Sequence, residues 1–166
     1  MNIIFIGMPA VGKSTIGVVL AKRLGFQYID PDLLIQEKEG KLLSEIIEAK
    51  GIDCFLKLED EVNSGINSKR AVISPGGSVV YCDNAMRHYK EIGVVVYLKV
   101  SFEEIRSRIE SVKNRGVVLK EGQTLLDLYR ERERLFEKWA DITIIEDGHD
   151  LEETVQMVLD EYQKIL

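Results

Sequence analysis

Gly7, Gly12, Lys13 and Ser14 stand at a spacing that chemistry can use. They belong to Gly7-Met8-Pro9-Ala10-Val11-Gly12-Lys13-Ser14-Thr15, which fits the phosphate-binding pattern G-x-x-x-x-G-K-[ST]. Gly7 and Gly12 permit a tight turn and bring backbone N–H groups, those of Ala10 and Val11 among them, close to a phosphate. A helix beginning near Lys13 adds the positive end of its dipole. Lys13 then brings its ammonium to the β and γ phosphates of a nucleotide, and the Ser14 hydroxyl, followed by Thr15, is placed to ligate Mg²⁺. A plain glycine turn that starts a helix is the alternative. Against it stand the buried-strand run Ile3-Ile4-Phe5-Ile6 before the loop and the apolar-periodic helix after it. The loop alone does not say what receives the phosphoryl group.

Two carboxylates form a second candidate set. Asp30-Pro31-Asp32 ends the short strand pattern Phe26 to Ile29, and in a parallel α/β sheet ligands collect at that edge. Asp30 and Asp32 can cap the next helix, and they can also supply what Mg²⁺-assisted transfer needs beside a phosphate loop. Pro75-Gly76-Gly77 follows another strand and allows close backbone approach to a ligand. Arg115 lies in a polar, glycine-containing stretch over 111–123, either as a solvated charge or as part of a lid. Arg130, Arg132 and Arg134 alternate with Glu131 and Glu133, a pattern usual for a solvated helix face, and the run itself singles out none of them. His88 and His149 have no partner spacing.

These residues must be positioned by an alternation of strands and helices. Helical periodicity runs over Thr15–Leu24, Leu33–Glu39, Leu42–Lys50, Phe55–Ile66, part of Val79–Tyr89, Phe102–Ile109, Thr124–Trp139 and Leu151–Leu166. Strand patterns cover the N-terminal run, Phe26–Ile29, Arg70–Ser74, Gly93–Leu98 and Ile142–Ile145. Such alternation predicts an α/β fold with a parallel sheet covered on both faces. The block of helices over about 31–67 is an expected acceptor-binding lobe. With 166 residues, 45% hydrophobic and 30% charged, the chain reads as a single domain. A net charge of -6 argues against a nucleic-acid partner. Cys54 and Cys82 read as unpaired thiols in a reducing compartment. No signal peptide pattern and no apolar run of about 20 residues is present, so a cytoplasmic protein without membrane contact is expected.

With these residues placed, the chain resembles the shikimate kinase family along nearly its whole length. The resemblance implies a three-layer P-loop NTPase fold of the nucleoside-monophosphate-kinase type: a five-stranded parallel sheet of order 2-3-1-4-5, flanked by helices, with a mobile lid. It implies transfer of the ATP γ-phosphoryl to the 3-hydroxyl of shikimate, a small hydroxylated acceptor, with Mg²⁺ and by a monomer. Carried over position by position, Asp32 hydrogen-bonds the accepting hydroxyl and Asp30 supports Mg²⁺ through water. Gly76-Gly77 starts a Gly-Gly-Gly loop that borders acceptor and γ-phosphate. Arg115 is the lid arginine, Arg108 packs on adenine, and Arg132 grips the acceptor carboxylate.

Two departures from the family pattern bear on the acceptor. Phe55-Leu56-Lys57-Leu58-Glu59 aligns with Phe-Arg-x-x-Glu, so Leu56 replaces a second carboxylate-binding arginine, and Lys57 points about 100° away on a helix. Ser78 replaces the third glycine. Losing one charged hydrogen bond, worth about 1.5–3 kcal/mol, weakens acceptor binding unless another cation substitutes. Three further readings stay open at this level: the same chemistry on another small alcohol such as homoserine or a sugar acid, a non-catalytic nucleotide-binding module, and a nucleoside-monophosphate kinase.

Overall fold

The computed structural model describes residues 1–111 and 119–166. Five parallel strands, β1 (Asn2–Ile6), β2 (Gln27–Ile29), β3 (Ala71–Ile73), β4 (Gly93–Lys99) and β5 (Ile142–Ile145), form one sheet in the order β2-β3-β1-β4-β5. The expected order is therefore the observed one. Burial along each strand follows its place in the sheet. β1 and β3 are buried at every residue because helices cover both faces, whereas edge strand β5 alternates buried and exposed. Register is explicit at the centre, where Ile3 pairs with Val72 on one side and Val94 on the other.

Helices α1 (Lys13–Leu24), α2 (Pro31–Glu39), α3 (Leu43–Lys50), α4 (Ile52–Ser64), α5 (Asp83–Ile92), α6 (Phe102–Ser111), α7 (Leu125–Trp139) and α8 (Leu151–Gln163) alternate with the strands. The single helical pattern expected within Val79–Tyr89 divides into a 3₁₀ turn, Val79–Tyr81, and α5, because Cys82 between them is extended. Gly25 and Gly40 end their helices in the left-handed conformation, as their positions suggest. Thr124 and Asp150 open α7 and α8 through reciprocal capping boxes with Asp127 and Glu153.

Two apolar cores result. The large one packs Ile16 and Leu20 of α1, Met86 of α5, Phe136 of α7 and Val155 of α8 against the sheet. The small one, Ile35, Ile46 and Phe55, belongs to α2, α3 and α4 alone and holds these helices together as a lobe beside the sheet. At the foot of the sheet Asn2 is buried. Its amide donates to the carbonyls of Ser68 (2.7 Å) and Ile92 (3.2 Å), and its oxygen accepts from the Ala71 N–H (2.9 Å), fixing where β3 and β4 begin beside β1. Among the described residues no helix is long and apolar enough to cross a membrane.

Candidate active site

At the carboxyl end of β1 the chain turns through the phosphate-loop sequence into α1, and Gly12 sits at the helix start with φ 104°. Glycine at position 7 has a second reason beside the expected one. Its φ of 153° is one that side chains rarely adopt, as a tight turn requires, and a Cβ there would also lie 2.7 Å from the Leu98 carbonyl oxygen, so packing of the loop against β4 demands glycine as well. Lys13 is buried, and its Nζ donates to the carbonyls of Gly7 (2.8 Å) and Met8 (2.9 Å) across its own loop. Arg108 of α6 donates to the Val11 carbonyl (3.1 Å) and pairs with Glu104 (2.8 Å). It is thus fastened to the loop and does not line the cavity described next.

One cavity of about 960 Å³ opens between the loop and the α2–α4 lobe. Ala10, Gly12, Lys13, Ser14, Thr15, Asp30, Asp32, Gly76, Gly77, Ser78 and Arg132 all line it, with Phe55 and Ile47 supplying apolar wall. Of the expected site residues, Gly7, Val11 and Arg108 lie outside this lining, and Arg115, with 112–118 of the expected lid, lies outside the described residues. Leu56 is not on the wall either; it packs against the large core, and its carbonyl accepts a hydrogen bond from the Cys82 thiol.

Asp30 caps α2, its Oδ1 accepting from the Asp32 N–H at 3.0 Å, so the capping reading holds while both aspartates still face the cavity. Burial, reinforced by the neighbouring Asp30 charge and opposed by Lys13, raises the Asp32 carboxyl to about 6. Among the described residues no group of three or more His, Cys, Asp or Glu side chains could cage a metal by itself. Ser14 and Asp30 suit Mg²⁺ of the kind that keeps several waters and takes phosphate oxygens as further ligands.

Arg132 arrives on α7. Tyr129 and Phe136 anchor that helix, Tyr129 by donating to the Val100 carbonyl (2.6 Å) and Phe136 by stacking on Tyr97 at 5.0 Å. Leu128, Arg132 and Phe136 are four apart, so Arg132 occupies the buried stripe while Arg130 and Arg134 face solvent. That periodicity could have selected Arg132 from the charge run. Its guanidinium lies 5.5 Å over the Tyr81 ring, and its Nε is buried without a hydrogen-bond partner among the described residues.

Two buried carboxyls were given no role by the sequence reading. Glu59 of α4 is fully buried, and one of its oxygens accepts from Ser78 Oγ at 2.7 Å. The signal was its place in the stripe Phe55, Glu59, Asn63, which puts two polar residues on the inward face of α4. Glu146, after β5, lies 3.8 Å from Arg108. Burial raises its carboxyl to about 7, against the pull of Arg108 and Lys13.

With this geometry in place, likeness to known proteins can be weighed. A family model described as "Shikimate kinase" matches residues 9–163. The shikimate kinase of Thermodesulfovibrio yellowstonii is 34% identical over 167 residues, covering 99% of this chain and 96% of its own. The solved shikimate kinase from Acinetobacter baumannii in complex with shikimate superposes with a TM-score of 0.88 at 29% identity, over 98% of this chain and 93% of that one. The Aquifex aeolicus enzyme gives 0.81 at 31% identity, over 99% and 97%. The family model over residues 9–163 and a relative 34% identical over 99% of this chain show the family: the chain belongs to the shikimate kinase family.

Proposed function

We propose that this protein transfers the γ-phosphoryl group of ATP to the 3-hydroxyl of shikimate. The observation that carries the reading is the gathering of Lys13, Asp32 and Arg132 around one cavity, between the phosphate loop and a separate helical lobe. The backbone of Ala10 to Thr15 and the Lys13 ammonium hold the donor phosphates. Arg132 binds the acceptor carboxylate, and Gly76 and Gly77 let the acceptor lie close to the backbone. Asp32 accepts a hydrogen bond from the attacking hydroxyl and takes its proton as the new O–P bond forms and the bond to the β-phosphate oxygen breaks, releasing ADP. In a loose phosphoryl-transfer transition state positioning and charge neutralisation contribute most, so Asp32 need not be a strong base. Ser14, and Asp30 through water, would hold Mg²⁺, which would supply charge neutralisation during the transfer. Arg115 and the 111–123 segment complete the donor side as a lid, Arg108 packs on the adenine, and helices α2–α4 form the acceptor lobe of a single kinase domain. The setting is cytoplasmic and the active species a monomer.

Coupled ADP release with purified protein, ATP, Mg²⁺ and shikimate tests this, with turnover expected far above the acceptor-free background. Turnover no greater than background rejects shikimate. Because Lys13 and Arg132 are the basic side chains on the cavity wall among the described residues, homoserine and sugar acids run in parallel decide whether another hydroxylated acid is the acceptor. In the same assay Arg132→Met raises the acceptor KM about tenfold to a hundredfold, the range for a lost charged hydrogen bond, with the ATP KM little changed. An unchanged acceptor KM removes Arg132 from the binding site.

A further inference from the structure

Arg132 carries its charge into a buried position, yet among the described residues it makes no ion pair; the Glu59 carboxyl feels that charge without pairing to it. Burying a cation in this way is costly unless something answers the charge. Its Nε is buried and lacks a hydrogen-bond partner among the described residues, so an anion entering the cavity reaches the guanidinium through the terminal nitrogens. What holds those nitrogens in place is therefore what prepares the site for an anion.

One short segment touches that guanidinium twice. A Cβ built on Gly77 would lie 3.1 Å from Arg132 Nη1, so the lack of a side chain there makes room for it. Further along the same segment, the Tyr81 ring presents its face to the guanidinium, with Arg132 Cζ 5.5 Å from the ring centroid. Between the two contacts the chain makes its 3₁₀ turn. The turn is closed by bonds from the Val79 N–H to the Gly76 carbonyl (3.3 Å), from the Tyr81 N–H to the Ser78 carbonyl (3.0 Å) and from the Cys82 N–H to the Val79 carbonyl (2.8 Å). Val79 and Val80 are buried in the large core, which seats the turn and fixes where the half-buried Tyr81 side chain begins. Tyr81 itself does not line the cavity.

We propose that Tyr81 is a positioning residue for the acceptor site: its ring face answers part of the Arg132 charge and holds the guanidinium beside Gly77, where the terminal nitrogens meet the acceptor's carboxylate. A cation is attracted to the negative face of an aromatic ring, and the attraction strengthens where water is excluded. The ring also fixes a long, rotamer-rich side chain before the acceptor arrives, so less freedom is lost on binding. Tyr81 touches neither the acceptor nor the reacting atoms. The inference rests on the kinase reading only for its kinetic arm.

The test is a double-mutant cycle on the full chain with Tyr81→Leu, Arg132→Met and the two combined, plus Tyr81→Phe, which keeps the ring. Tyr81→Leu is expected to raise the shikimate KM about threefold to thirtyfold, the span for a cation held on an aromatic face, with kcat and the ATP KM within about twofold. Tyr81→Phe should keep the shikimate KM within about twofold of wild type. Added to Arg132→Met, Tyr81→Leu should change that KM by less than about twofold, because no cation remains to be held. An effect of Tyr81→Leu equal in both backgrounds, an equal rise in the ATP KM, or a Tyr81→Phe variant as impaired as Tyr81→Leu overturns the proposal. Thermal unfolding of the same proteins without acceptor gives a reading independent of the substrate. Tyr81→Leu should lower Tm by about two degrees or more when Arg132 is present and by less in the Arg132→Met background, and equal losses overturn the contact. A wild-type protein without shikimate turnover rejects the substrate reading, and the unfolding cycle still decides whether Tyr81 holds Arg132.

Discussion

Replacing Asp32 with asparagine is expected to lower kcat by about three decades, the middle of the range for a lost general base, and at the same time to raise the melting temperature. The kinetic loss follows from its position on the cavity wall, where an amide can hydrogen-bond the acceptor hydroxyl but cannot take its proton. The gain in stability follows from the same burial. With its folded-state value near 6 against 3.8 for an ordinary aspartate, the folded protein holds the proton more tightly than the unfolded chain does. The ionisation penalty is absent below about 3.8, grows as pH rises, and is complete above about 6. Asparagine avoids it, a gain of about 1–3 kcal/mol near neutral pH and so of a few degrees in Tm. Wild-type activity should fall with unit slope in acid below about 6, as the carboxylate is lost. Steady-state kinetics across pH and thermal unfolding at about pH 8 check both halves. An asparagine variant that retains a large share of wild-type turnover, or that melts no higher than wild type, contradicts the assignment.

Lys13→Met should remove about two to three decades of kcat/KM for ATP, comparable to deleting a preorganised donor aimed at developing charge. Methionine matches the length of the stem but has no ammonium. It also cannot replace the bonds from Nζ to the Gly7 and Met8 carbonyls that brace the loop. A second signature separates this from simple loop damage. Lys13 lowers the Asp32 carboxyl, so in the methionine variant the acid limb of the residual activity shifts to higher pH than in wild type. Lys13→Arg should not rescue, because the planar guanidinium does not fit where a compact ammonium bridges two carbonyls. ATP kinetics within a few-fold of wild type would exclude the role.

The donor side was legible because a backbone motif dictates it. Glycine at fixed offsets, a lysine and a hydroxyl residue between a strand and a helix leave one way to fold, and Gly12 to Thr15 line the cavity as that reading expects. Even there half of the cause at Gly7 was hidden, since a sequence does not display the Leu98 carbonyl that excludes a side chain. The acceptor side was less legible because it is assembled from long-range packing. Arg132 owes its inward placement to the seating of Tyr129 and Phe136, and Glu59 owes its burial to the contact of α4 with the segment after Gly77. Charge pattern alone treats both as solvated. Leu56 likewise lies off the cavity wall and packs against the large core, which its place in the sequence does not display.

The place of β1 at the middle of the sheet has a consequence for how the chain is made. Its neighbours are β3 and β4, so Ile3 must wait for Val72 and then Val94 before either edge is paired. The seat of Gly7 against Leu98 comes later still. On a ribosome adding about 5–20 residues per second, β1 spends several seconds without these partners. Throughout that interval Ile3 to Ile6 is an unpaired, uncharged β-forming segment, the kind that associates with other chains. The nucleotide loop therefore takes shape only when synthesis has passed β4, and a nascent chain halted before that point exposes its most apolar strand and has no phosphate site.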